Sequence, residues 1–164
     1  MKKIFVDATE AVEETVALFI EGAECVLTGT TINSMSIKEK NDEYERFAQE
    51  YDINFIFDDE IPEIDFYTVP LIDIMATDSR GGYIGTIGEM TDFQSDAPIC
   101  YISKERKCYI LASNGIEFIN GVTAWKKHMK PYENIVIYSS KEEATKEIAF
   151  MKSTNLGRTE NIAN

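Results

Sequence analysis

One histidine limits what acid–base chemistry this chain can do. His128 lies in Trp125-Lys126-Lys127-His128-Met129-Lys130, and a lone imidazole among lysines reads as a solvated surface group rather than a general base. No serine or cysteine has a local partner that would activate it, so no catalytic residue is expected. Three cysteines (Cys25, Cys100 and Cys108) and one histidine are too few and too scattered for a zinc cluster. An odd number of cysteines in a chain with no secretory signature reads as reduced thiols. The neighbours Ile99, Tyr101, Tyr109 and Ile110 predict that Cys100 and Cys108 are buried, close together and inert. Gly81, Gly82, Gly85 and Gly88 are dense but fit neither a dinucleotide fingerprint nor a Walker A loop. They read as a turn at Gly81-Gly82 and close backbone approach along a strand. No metal and no cofactor is expected.

Carboxylates carry the remaining signal. Asp58, Asp59, Glu60, Glu63 and Asp65 put five acids into eight residues with no base among them. Three readings stand side by side: a solvated turn, a divalent cation site, and a surface that complements lysine and arginine on another protein. The cation reading lacks the alternation and the glycine of an EF-hand. The wider charge distribution frames the cluster. The 164 residues carry 29 acids and 16 Lys plus Arg, a formal net charge of -13. Residues 1–70 hold 17 acids and 5 bases, whereas residues 71–164 hold 12 and 11. Nucleic-acid binding needs the opposite sign and is excluded as a class. No apolar run approaches the roughly 18 residues that span a bilayer. Asp7, Glu10, Glu13 and Glu14 interrupt what a signal peptide would keep apolar. A cytoplasmic protein with no membrane partner is expected.

The elements that would position these groups follow from periodicity. Ile4-Phe5-Val6 reads as a strand, followed by a helix with Val12, Val16, Phe19 and Ile20 on one face. Residues 36–51 read as an amphipathic helix carrying Tyr44, Phe47, Ala48 and Tyr51 on its apolar side. Short β-type runs then occupy 53–57, 64–69, 71–76, 83–87, 99–102 and 108–112, punctuated by Asp58-Asp59, Pro70, Gly81-Gly82 and Lys104-Glu105-Arg106. The last two runs form the clearest hairpin. They are apolar on successive residues, so both faces of the sheet should be covered, one of them by helices. Residues 114–129 suit a helix packing back on that sheet. Residues 135–138 form a strand before a capping box at Ser140 and Glu143, with Ala144, Ile148 and Met151 as its stripe. Hydrophobic residues make up 44% of the chain, enough for a substantial core. The expectation is a single α+β domain over residues 1–152, an antiparallel meander covered by helices, with a loose C-terminal tail over 153–164.

The middle of the chain adds a resemblance. Leu71-Ile-Asp-Ile-Met-Ala-Thr-Asp-Ser-Arg-Gly-Gly82 resembles the strand of the SUKH superfamily that ends in a small-residue, Asp and Gly turn. Ala97-Pro-Ile-Cys-Tyr-Ile102 is similar to that family's Pro-Ile/Val-x-Tyr strand. Tyr109-Ile-Leu-Ala-Ser113, leading to Ile116-Glu-Phe-Ile119, resembles its closing strand and helix. The likeness covers about residues 64–122; the Leu-Pro and Asn-Gly-Gly features of the family's earlier helix are not found in residues 1–60. It implies an α+β fold and a non-enzymatic role. Many bacterial members are immunity proteins that neutralise toxins, often nucleases, while others, including yeast cell-wall regulators, are interaction scaffolds. The family has no shared catalytic residues; Asp78, Gly81 and Gly82 match its turn and read as structural.

Two functions follow as expectations. The first is an immunity protein that blocks the basic surface of a toxin domain, a nuclease in the first instance, through Asp58, Asp59, Glu60, Glu63 and Asp65. Exposed aromatics beside the acids, Tyr67 and Phe93, would be its anchors. The alternative is a regulatory scaffold for an endogenous partner. A small enzyme would instead require convergent polar groups around Asp78 or His128. The oligomeric state is left open.

Overall fold

A computed structural model describes residues 2–9, 23–88 and 96–151. The expected helix after the first strand and the expected C-terminal tail fall outside the described residues. The chain runs β1 (Lys2–Asp7), β2 (Ala23–Thr28), β3 (Thr30–Ile32), a 3₁₀ turn (Ile37–Glu39), α1 (Asp42–Tyr51), β4 (Asn54–Phe55), β5 (Tyr67–Val69) and β6 (Ile72–Thr77). It continues through β7 (Tyr83–Ile87), β8 (Ile99–Ile102), β9 (Cys108–Ala112), α2 (Gly115–Asn120), a second 3₁₀ helix (Val122–Lys127), β10 (Lys130–Pro131), β11 (Val136–Tyr138), α3 (Lys141–Thr145) and β12 (Phe150–Met151). The fold is α+β, with three sheets among the described residues.

The largest sheet contains the meander. Its order is β10-β9-β8-β7-β6-β3, with β4 also paired to β6. The β6–β7, β7–β8 and β8–β9 pairs are all antiparallel. Strands β7, β8 and β9 coincide with the runs expected from their apolar residues. One face carries Ile53, Ala76, Ile84, Ile99 and Leu111 and is covered by Phe118, Val122 and Trp125 from α2 and the second 3₁₀ helix, with Phe47 and Tyr51 of α1 beside them. Trp125 Nε1 donates to the Tyr51 carbonyl at 2.7 Å, which ties the two helical segments together. The other face carries Ile72, Ile74, Ile87, Cys100, Ile102 and Cys108. Irregular chain covers it, with Phe66 and the part-buried Ile64, Tyr132 and Ile135.

Helix boundaries are set by caps rather than by the apolar pattern. The 36–51 segment divides because Asn41 Oδ1 accepts from Glu43 N at 2.9 Å and starts α1 there, leaving Ser36 to cap the separate 3₁₀ turn. The 114–129 segment divides at Gly121, which ends α2 and begins the 3₁₀ helix. Ser140 caps α3 by accepting from Glu143 N at 3.2 Å, as its spacing predicts.

A second sheet, β12-β1-β2, is parallel and was not apparent in the periodicity. A third pairs β11 with β5. Gly29 is the joint between the sheets. Its φ of 108° lets the strand leave β1 and, as β3, enter a parallel pair with β6. Its N–H donates to the Thr68 carbonyl at 2.6 Å and its carbonyl accepts from Ile72 N at 3.1 Å.

The Gly81-Gly82 turn is built around a buried acid. Asp78 Oδ1 accepts from Gly82 N at 2.8 Å and from Arg80 N at 3.1 Å; its Oδ2 accepts from Tyr101 Oη at 2.8 Å. Burial and the adjoining Asp78 carboxylate push the Tyr101 phenol well up, so it stays a donor. A Cβ on Gly82 would stand 2.1 Å from Tyr101 Oη. Gly82→Ala is therefore expected to force Tyr101 off Asp78 and lower stability by about 1–3 kcal/mol, read from urea unfolding midpoints against wild type.

Candidate functional site

The acidic segment begins where β4 ends. Met35 bridges to Phe57: Met35 N donates to the Ile56 carbonyl at 2.9 Å, and Asp58 N donates to the Met35 carbonyl at 2.9 Å. Glu60 N donates to the Phe57 carbonyl at 3.1 Å, closing a turn that swings the acids outward. From Ile61 to Phe66 the side chains alternate between exposed and covered. Ile64 and Phe66 face the sheet, while Glu63 and Asp65 face solvent. The turn exposes Asp58, Asp59 and Glu60, and the alternation exposes Glu63 and Asp65, so none of the five is desolvated.

Those five divide by their partners. Asp58 accepts from Ser34 Oγ. Asp65 is paired with Arg106, whose guanidinium lies 4.5 Å from the Phe66 ring centroid. Asp59, Glu60 and Glu63 are exposed and have no cationic partner among the described residues. Asp59 and Glu60 line a groove of about 500 Å³ together with Phe55, Phe57, Ile61 and Lys40. Ile61 is 52% exposed, a large apolar side chain left in water between acids. It is the apolar feature that the sequence reading missed. An isoleucine inside an acidic run that has left its strand was the available signal.

Tyr67 corrects an expectation. It is 4% exposed and is not a surface anchor. Strand β5 is held by β11 on one side and by Gly29 on the other, so Tyr67, Thr68 and Val69 are all buried. The Tyr67 hydroxyl donates to Asp7 Oδ1 at 2.9 Å and meets Thr28 Oγ1 at 2.8 Å. Phe93, the other expected anchor, lies outside the described residues.

Asp7 is the centre of that buried network. Besides Tyr67, its Oδ1 accepts from Thr9 N at 3.0 Å and Thr9 Oγ1 at 2.7 Å, and its Oδ2 pairs with Lys141 Nζ at 2.7 Å. Burial on its own would raise the Asp7 carboxyl; Lys141, Thr9 and Tyr67 together outweigh it and hold the group below its ordinary 3.8. Asp52 behaves likewise at the end of α1. Burial would raise it, yet Lys126 Nζ at 2.7 Å and Ser79 Oγ at 2.7 Å keep it ionised.

The remaining candidates do not assemble into a reacting group. His128 is exposed and lines a second groove of about 430 Å³ with Ser113, Glu117 and Trp125. Ser113 Oγ donates to Glu117 Oε2 at 2.6 Å, so the serine is held by the carboxylate rather than by the imidazole. Cys100 and Cys108 lie at diagonal positions of the β8–β9 pair on one face, both buried. The neighbouring Cys108 thiol and complete burial push Cys100 well up. Among the described residues, no group of three or more His, Cys, Asp or Glu is placed to hold a metal ion.

A depressed carboxyl adds stability above its ordinary pKa and loses it as pH falls through the folded value. Lys141→Met should therefore lower stability at pH 7 by about 1–2 kcal/mol, the partial exposure of Lys141 being allowed for. The deficit relative to wild type should shrink as acid protonates Asp7 below its ordinary 3.8. Paired urea titrations at neutral and acid pH measure both.

Among the described residues no helix is long and apolar enough to cross a membrane. Comparison with protein-family models, with curated proteins and with solved structures found no match to this chain.

Proposed function

We propose that this chain is an immunity protein of SUKH type, which binds a bacterial toxin domain with a basic surface, a nuclease in the first instance, and blocks it. One observation carries the reading: Asp59, Glu60 and Glu63 stand exposed and unneutralised around a half-exposed Ile61. An enzyme that grips nucleic acid must present lysine and arginine, and carboxylates on an inhibitor can occupy that surface. Complementary charge speeds encounter and excludes wrong partners, while a desolvated apolar side chain at the centre supplies much of the affinity. Ile61 takes the anchoring role that the sequence reading gave to Tyr67. The resemblance over residues 64–122 supports the same class, and the antiparallel β6–β9 meander with α2 packed on it is compatible with it.

Co-expression with toxin candidates from the neighbouring genes tests the proposal. The expected result is a stable complex and protection of the host cell. The absence of both complex and protection would overturn it, and capture of a resident protein instead would favour the regulatory scaffold. Replacing Asp59, Glu60 and Glu63 with Asn, Gln and Gln should slow association roughly tenfold at low salt and flatten its salt dependence. The unfolding midpoint should not move, because all three side chains are exposed.

A further inference from the structure

The groove beside Ile61 already contains a cation. Lys40 Nζ stands 5.3 Å from the centroid of the Phe57 ring. The chain brings it there: Lys40 N donates to the Ile37 carbonyl at 3.0 Å, and Asn41 then starts α1. Tyr44, one turn into α1, meets Phe57 edge-on at 5.5 Å between centroids and Phe55 at 5.4 Å, which holds the aromatic floor rigid. Lys40 itself is exposed and has no carboxylate within ion-pair distance among the described residues. Phe57 is itself only 6% exposed, and an ammonium that reaches it from the solvent side is weakly held and remains strongly hydrated. Lys40 is thus a weakly held occupant of a groove whose rim acids, Asp59 and Glu60, lack a cation.

The same loop shows what a well-matched occupant looks like. Arg106 lies over the Phe66 ring at 4.5 Å, pairs with Asp65, and directs Nη1 at the Ser103 and Lys104 carbonyls at 3.4 Å. A guanidinium is planar, so it can stack on a ring and bond a carboxylate at once; a lysine ammonium is a compact point charge. Phe57 with Asp59 and Glu60 offers the same combination of ring and acids, and at this end of the loop no arginine of the described chain supplies the cation.

We infer that this groove seats an arginine side chain of the basic partner, which displaces Lys40 from the Phe57 ring and pairs with Asp59 and Glu60. This rests on the proposed reading of the acidic face and assigns the residue type that the face selects. Lys40 then acts as an internal competitor, and its removal strengthens binding.

The test uses the full chain and three synthetic peptides of equal length that alternate leucine with arginine, lysine or citrulline, with affinity read by calorimetry. The arginine peptide should bind several-fold tighter than the lysine peptide, and the citrulline peptide should not bind. Lys40→Ala should tighten the arginine peptide by about two- to fivefold, the equivalent of one exposed cation–π contact. Lys38→Ala makes the same charge change at an exposed lysine with no ring contact, and it should have a clearly smaller effect. Asp59→Asn with Glu60→Gln should abolish the preference for arginine. Equal effects of the two lysine variants, equal binding of arginine and lysine peptides, or no binding would each overturn the inference. If these fail while Asp59, Glu60 and Glu63 remain necessary for toxin protection, the acidic face stands as the partner surface without an arginine seat. If protection fails as well, both readings fall.

Discussion

A carboxylate held almost out of water must be given a cation and donors or give up its charge. Asp7 is held in this way, and much of the molecule is arranged around supplying it. Its donors come from three separate parts of the chain: Thr9 just beyond β1, Tyr67 at the start of β5, and Lys141 at the start of α3. The network therefore ties the parallel sheet to the β5–β11 pair and to the helix that follows β11. Tyr67 could not serve as a surface anchor while this demand exists. Its burial in turn fixes one end of the acidic loop, and the bridge between Met35 and Phe57 fixes the other. The intervening chain is short and pinned at both ends, which is what keeps its acids facing out.

Net charge alone does not separate the acids that build the fold from those left in water. Asp7, Asp52 and Asp78 each accept several hydrogen bonds and hold sheets or helix ends together. Asp73 is buried and accepts from Thr31 Oγ1 at 2.7 Å. Asp58 and Asp65 sit on the surface but have internal partners. Asp59, Glu60 and Glu63 are left over. The division follows backbone direction rather than sequence density. Within one acidic run all five side chains stay in water, and only those within reach of Ser34 or Arg106 gain a partner.

The limits of sequence reading follow from the same physics. Strands β8 and β9 were legible because most side chains on both their faces are covered, which leaves an unbroken apolar run. The burial and proximity of Cys100 and Cys108 followed from that hairpin. Helix lengths were overestimated at Asn41 and Gly121, since a polar cap or a glycine inside an otherwise amphipathic pattern leaves the period intact while ending the helix. The parallel pairing of β1 with β2 was hidden, because such a pair declares itself only through contacts across a crossover. Tyr67 was misplaced for a related reason: its hydroxyl is satisfied by Asp7, 60 residues away in sequence. Ile61 was legible in principle, although an isoleucine between Glu60 and Pro62 resembles the end of a strand until the turn at Phe57 is known.

The architecture separates the side chains that hold the fold from those left in water on the acidic loop. Ile64 and Phe66 set the register of the acidic loop against Ile72, Ile74 and Ile102, and none of these side chains reaches the groove beside Ile61. The side chains of Asp59, Glu60 and Glu63 have no contacts that the core requires. Exchanging them would change the charge and reach of the surface without altering the alternation that presents it. On the proposed function, a protein matched to one basic partner could be rematched to another by changes in three or four side chains. The nearly neutral meander would stay as it is, because the loop contributes to its apolar burial through Ile64 and Phe66 and not through Asp59, Glu60 or Glu63.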